Sequence, residues 1–313
     1  MNPMQYYKLS LRVQGKITQI PDSQKLFGAL IYAYKDDWGD EEATILTDKI
    51  FQKELFFALS SLLPQGTLPL PGNWLIEKNQ SQKGMLDKAF YKEINKRTYI
   101  PSDQIQLILQ QPNMAKMIYP YVTVESKQQV HASLESLLYD LPSLEPTLYS
   151  VNETLVNYVL NEKQKCTRVV DYDVYIEVEE SEAGKAWIKW IQSQCQNRTI
   201  LPLGPRMSQG LNLYQLCDLQ AITLPESKGY YLNLGMFVPQ QIDYSHSYCK
   251  LFTSQRRPYH VSGGWQDQSK IMTYIDLGSL ICTQNKREAG RSLKIEENRI
   301  LFGNAFLYPV EVN

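Results

Sequence analysis

The stretch VVDYDVYIEVEE, residues 169–180, sets Val170, Tyr172, Val174, Ile176 and Val178 against Asp171, Asp173, Tyr175, Glu177 and Glu179. A period of two puts each set on its own face, so the pattern predicts a half-buried strand with one solvated acidic face. In the next segment, SEAGKAWIKWIQSQC (181–195), the period lengthens. Ser181 suits an N-cap, and Trp187, Ile188 and Ile191 share one side of a helix. Then come a short apolar run, RTIL (198–201), the loop LPLGPRMSQGLN (201–212) and a further strand in LNLYQLCDLQAI (211–222). Strand, helix, strand, loop, strand is most of one ferredoxin-like unit. The fold class that follows is α+β.

The N-terminal part opens the same way. YYKLSLRV (6–13) alternates as a strand; Pro21, Asp22 and Ser23 then announce a helix with Leu26, Phe27, Leu30 and Tyr34 on one face. DEEATILTDKIFQKELFFAL (40–59) reads as a second helix with acids in its first turn. SSLLPQGTLPLPGNW (60–74), with three prolines and two glycines, breaks regular structure. Residues 103–165 show no clear period and are expected to hold long loops and a domain boundary. Further strands are expected at YYLNLGMF (230–237), KIMTYIDL (270–277), SLICTQ (279–284) and NAFLYPVEV (304–312). A length of 313 residues suits two domains, placed at 1–150 and 151–313.

Thirty-two Lys+Arg against 33 Asp+Glu leave a formal net charge of -1, so nucleic acid can be held only at local patches or with help from other chains. No segment is apolar and long enough to cross a bilayer, and the N-terminus has no apolar core of a secretory signal. The five cysteines are odd in number, without a CxxC pair, which argues against zinc and disulfides and favours the cytoplasm. His131, His246 and His260 stand in no metal or triad spacing. The acidic runs DYD and EVEE look like a solvated strand face, not a metal cage, and no metal or cofactor is expected. The 21 tyrosines suit half-buried strand positions or base stacking.

The basic groups are more informative. Lys88, Lys92 and Lys96 recur every four residues, so a helix would stack them in one stripe beside Arg97, with Phe90, Tyr91 and Tyr99 interleaved. Such a stripe can neutralise successive phosphates, or can pair with Asp87 and Glu93 on an ordinary surface helix. Arg256 and Arg257 form a second cluster with Tyr259 and His260. In the loop, Gly204 and Gly210 permit close backbone approach, Arg206 offers a forked donor, and Ser208 and Gln209 add neutral ones. Consecutive amides there can form an anion nest; a plain hairpin turn is the other reading.

Taken in order, several segments resemble a known family: the RAMP-superfamily subunit that caps the 5′ end of the guide in type III-A (Csm) CRISPR effector complexes. IPDSQKLFGAL resembles its early helix, and ALSSLLPQGTLPLPGNW its Ser-x-x-x-Pro stretch and Leu-Pro-x-Pro strand. FYKEINKRTYI resembles its lysine-rich segment, and LPLGPRMSQGLNLYQL stands where its glycine-rich loop would be. SGGWQDQSKIMTYIDLGSLI and NAFLYPVEV resemble its C-terminal elements. Pro205 and Asn212 occupy places where the family loop has glycine. The resemblance implies two ferredoxin-like (RRM-like) modules, no catalysis, and binding of the repeat-derived 5′ tag of the CRISPR RNA (crRNA). It implies two neighbours, the large polymerase/cyclase subunit and a backbone RAMP subunit, in antiviral defence. It also places RNA near Lys25 and Arg168. The alternative within the same superfamily is a metal-independent endoribonuclease for precursor crRNA, with His260 its best base; a third reading is a scaffold without RNA contact.

Overall fold

The computed structural model describes residues 2–84, 87–133, 147–163, 165–256, 270–296 and 299–312. The first stretch holds β1 (Met4–Val13), α1 (Ser23–Trp38), α2 (Asp40–Phe51), β2 (Phe57–Leu59), β3 (Leu63–Pro64), β4 (Thr67–Pro69) and α3 (Gly72–Lys83). Then come α4 (Lys88–Lys96), β5 (Tyr99–Pro101), α5 (Ile105–Gln110), β6 (Tyr121–Ser133), β7 (Thr147–Val159), β8 (Cys166–Arg168) and β9 (Asp171–Glu179). After α6 (Glu182–Gln196) follow β10 (Ile200–Pro202), β11 (Leu213–Ile222), β12 (Tyr230–Asn233), β13 (Leu251–Arg256), β14 (Lys270–Ile275), β15 (Leu280–Cys282), β16 (Leu293–Glu296), β17 (Arg299–Leu301) and β18 (Leu307–Val310).

The main sheet runs β10-β11-β1-β9-β2, with β3 also on β9, and its pairings are antiparallel. It therefore draws strands from both sides of residue 150: β1 lies between β9 and β11. A second sheet runs β4-β5-β6-β7-β8, and a third β15-β12-β18. No α-helix follows α6 among the described residues.

Local chemistry explains the helix starts. Asp22 accepts from the amides of Gln24 and Lys25 at the head of α1, and Ser181 accepts from Gly184 N at the head of α6. The two helices lie side by side: Tyr34 meets Trp187 and Trp190 edge-on at 5.3 and 5.2 Å, and Trp190 Nε1 donates to Asp37 at 2.8 Å. Leu26, Phe27, Leu30, Trp187, Ile188 and Ile191 are buried, as their spacing predicts.

Strand β9 departs from expectation. Its acidic face is not solvated: Asp173 and Glu177 are each only 1% exposed. The C-terminal part covers that face, with Phe306 and Tyr308 against Tyr175. Asp173 accepts from Ser10 Oγ and Gly66 N, both at 3.0 Å. Glu177 Oε2 meets Lys286 Nζ at 2.7 Å, and that ammonium lies 4.8 Å from the Tyr6 ring and 5.5 Å from the Phe306 ring. Burial pushes the Glu177 carboxyl up and the Lys286 ammonium down, and their mutual attraction opposes both shifts. Acids alternating with valines read as an outer face because nothing in the strand announces the lysine more than a hundred residues on.

Two other expectations change. The helix expected to run to residue 59 ends at Phe51, and Phe57–Leu59 is a fully buried strand; a short apolar run has no period by which to tell the two apart. Residues 103–165, expected to be loops, contain α5 and two 13-residue strands paired from Tyr121↔Val159 to Ser133↔Thr147. Its first strand is exposed from Glu125 to Gln128, so that strand lacks the apolar alternation that identifies one.

Candidate nucleic-acid interface

Because β10 pairs with β11, the loop at 203–212 closes a hairpin. It is an unusual one. Arg206, Gly210 and Asn212 all take left-handed backbone, at φ +64°, +73° and +57°, around a 3-10 turn at Met207–Gln209. Asparagine tolerates that conformation better than most side chains, so Asn212 does here what a glycine would. It is also the clasp. Its Oδ1 accepts from Thr18 N at 2.8 Å, its Nδ2 donates to Pro205 O at 2.8 Å and Thr18 Oγ1 at 2.9 Å, and Asn212 itself is fully buried. Gly15 packs so closely on the loop that a Cβ there would sit 2.7 Å from Gly210 O.

The amides of Gln209 and Leu211 donate to Arg206 O, and that of Gly210 to Met207 O. These three serve the loop itself, so the anion nest anticipated from the glycines is not formed by them. Chemistry shifts to side chains: Met207, Ser208 and Gln209 are exposed and Arg206 is half-buried.

The lysine stripe forms as expected. Lys88, Lys92 and Lys96 are exposed on α4, which Asp87 caps, and Lys96 pairs with Glu93 at 2.7 Å. Arg97 differs. Its side chain is fully buried, donating to Glu93 O and Oε2 and to Lys116 O, with its guanidinium 4.1 Å from the centre of the Tyr121 ring. The stripe and the loop do not merge. The Arg97 end of α4 lies at Tyr121, whereas the loop lies near Gln129, roughly 25 Å further along the same strand at ~3.3 Å per residue. Arg168 sits between them on β8, opposite Asn157. Lys25 stands at the head of α1, 3.6 Å from Asp22. Arg256 ends β13, its backbone paired with Lys270. Arg257 and His260 lie outside the described residues.

Three residues missed by the sequence reading join the loop. Lys16 Nζ lies 3.4 Å from Glu153 Oε2 and donates to Gln129 Oε1 at 3.3 Å, and Gln129 Nε2 donates to Glu153 Oε2. With Gln209 and Leu211 they border a cavity of about 190 Å³. Their signal was long-range pairing, which no local window carries. His131 pairs through its backbone with Tyr149, and exposed His246 is held 2.7 Å from Asp243. Among the described residues no three His, Cys, Asp or Glu side chains gather as metal ligands, and no helix is long and apolar enough to cross a membrane.

Comparison with solved structures brings these parts together. A chain of a Csm1-Csm4 cassette in complex with cA4 superposes at a TM-score of 0.54, with 16% identity over 99% of both chains. A chain of a Csm3-Csm4 subcomplex from the type III-A CRISPR-Cas interference complex gives 0.53 and 16%, over 98% of this chain and 99% of that one. Csm4 is the component those assemblies share. This chain has the Csm4 fold. A Csm1-Csm4 cassette with pppApA matches similarly, at 0.52 and 15% over 99% of each chain. No family model matches the chain, and no curated protein does. The likeness of fold extends over 98–99% of the chain.

Proposed function

We propose that this protein is the Csm4-type RNA-binding subunit of a type III-A CRISPR effector complex. It holds the 5′ tag of the crRNA without catalysing a reaction, and it bridges a Csm1-type polymerase/cyclase subunit to the Csm3-type backbone. The observation that carries this reading is a likeness of fold across the whole chain to the component common to a Csm1 assembly and a Csm3 assembly. The main sheet supports it: the order β11-β1-β9-β2, with α1 and α6 as the two connections on one face, is that of a ferredoxin-like module. In this reading the module takes its strands from both 1–150 and 151–313.

RNA would follow the long hairpin. Arg206, Ser208 and Gln209 meet it at the loop, Arg168 lies part-way, and Lys88, Lys92 and Lys96 neutralise phosphates at the far end. Phosphate contacts of this kind set register without reading sequence. Near-neutral net charge fits a subunit whose neighbours supply the remaining cations. Replacing Arg206 and Lys96 together by alanine is expected to lower the crRNA recovered with the affinity-purified complex, with the protein subunits still present. RNA content equal to that of the unsubstituted complex would overturn the assignment of these residues.

A further inference from the structure

We propose that the cavity between the loop at 203–212 and the long hairpin is a pocket for one guanine base. The proposal extends the tag-holding reading by naming what that site selects. The cavity has two kinds of wall. Ile17, Val151 and Leu211 are aliphatic, suited to the faces of a flat ring, while Lys16, Gln129 and Glu153 are polar. At about 190 Å³ it has room for a base but not for a folded peptide.

The polar groups define which base. Guanine presents on its Watson–Crick edge one acceptor, O6, beside two donors, N1–H and N2–H₂. Lys16 supplies a donor for O6. The Glu153 carboxylate, nine-tenths buried, is acceptor-only when ionised and its two oxygens match the adjacent donors. Lys16 and Gln129 both reach Oε2, and Oε1 takes part in neither contact. Uracil, with one ring donor between two acceptors, would face the carboxylate with an oxygen. A cationic ligand is disfavoured because Lys16 already stands 3.4 Å from the carboxylate. The backbone fixes the geometry: Thr154 N donates to Ile17 O at 2.8 Å, tying the hairpin to the segment that carries Lys16, and the Asn212 clasp ties that segment to the loop. Gln209, in the loop's 3-10 turn, lines the same space, so a base held here would carry its phosphates past Ser208 and Arg206.

The test uses the full chain and fluorescein-labelled RNA octamers: oligo-U, and oligo-U with one central G, A or C. GMP is titrated separately. A single G is expected to tighten binding by about tenfold over oligo-U, the discrimination typical of a bidentate base contact. Glu153→Gln, which keeps the shape, should abolish that increment, so that the octamer with one G binds no more tightly than oligo-U to the same variant. Lys16→Met should reduce it in part. If RNA binds but all four octamers bind alike, the pocket proposal fails and the tag-holding reading stands. If GMP binds with the same Glu153 dependence while no RNA binds, the pocket stands, assigned to a free nucleotide. Binding of neither overturns the pocket, whereas the tag-holding reading falls on the crRNA content of the purified complex.

Discussion

Strand β9 and the β6–β7 hairpin carry polar side chains for opposite ends. In the middle of β9 two acids are withdrawn from water and each is matched, Asp173 by Ser10 and Gly66 N, Glu177 by Lys286. In the hairpin, residues 125–128 stay in water, whereas at its junction with the loop Gln129 and Glu153 border a partly enclosed space. Buried charges that already have partners hold layers together. Glu153 is buried and partnered too, by Lys16 and Gln129, but it borders a cavity that a ligand can enter. The contrast between the two regions separates structural from functional polarity in a chain whose net charge says little.

The largest expected effect breaks the β9 side. Lys286→Met leaves a buried carboxylate unmatched and should cost about 3–5 kcal/mol in chemical denaturation, whereas Glu177→Gln with Lys286→Met should recover most of it. Recovery is the diagnostic result, since overpacking by methionine would persist in the double variant. Next is Arg97, which stands with the stripe in sequence but with the core in space. Arg97→Ala should lose about 2–3 kcal/mol from its ring contact and charged hydrogen bonds, while Lys92→Ala stays within about 0.5 kcal/mol. Equal losses would dissolve the distinction drawn here. Asn212→Ala removes the clasp and strains a left-handed residue; a loss of about 1–3 kcal/mol is expected, with Asn212→Gly milder. The smallest effect is a pH limb. Hydrogen bonds from Ser245 and His246 hold the Asp243 carboxyl down from its ordinary 3.8 to about 2. The group is therefore ionised more readily folded than unfolded. Its contribution is complete above about pH 4 and is lost as pH falls toward 2. Thermal unfolding of Asp243→Asn should lack that part of the acid slope.

Much of the main sheet was legible because its elements are locally self-consistent: Ser181 caps, Trp187 and Ile191 face inward, and β1 alternates. The loop was legible as a loop, and the lysine stripe as a stripe. What could not be read was decided by remote groups. Asp173 and Glu177 changed from solvent-facing to buried because Gly66 and Lys286 arrive from elsewhere. Arg97 left the stripe because Tyr121 and Lys116 O offered a better place. Asn212 looked like a departure from a glycine pattern, yet its backbone angle and amide make it the element that closes the loop. The hairpin was invisible since strands in water need no apolar period. Lys16, Gln129 and Glu153 are more than a hundred residues apart from end to end, and only the fold makes them neighbours.

The place of β1 between β9 and β11 has a consequence for synthesis. The opening strand leaves the ribosome with both of its edges bare, and the strands that will flank them are not translated until residues 171–222 have been made. Folding in vectorial, piece-by-piece fashion is closed to this sheet, and contacts of such long separation form slowly. For well over a hundred residues of elongation, that first ribbon must either stay extended or be shielded by a chaperone.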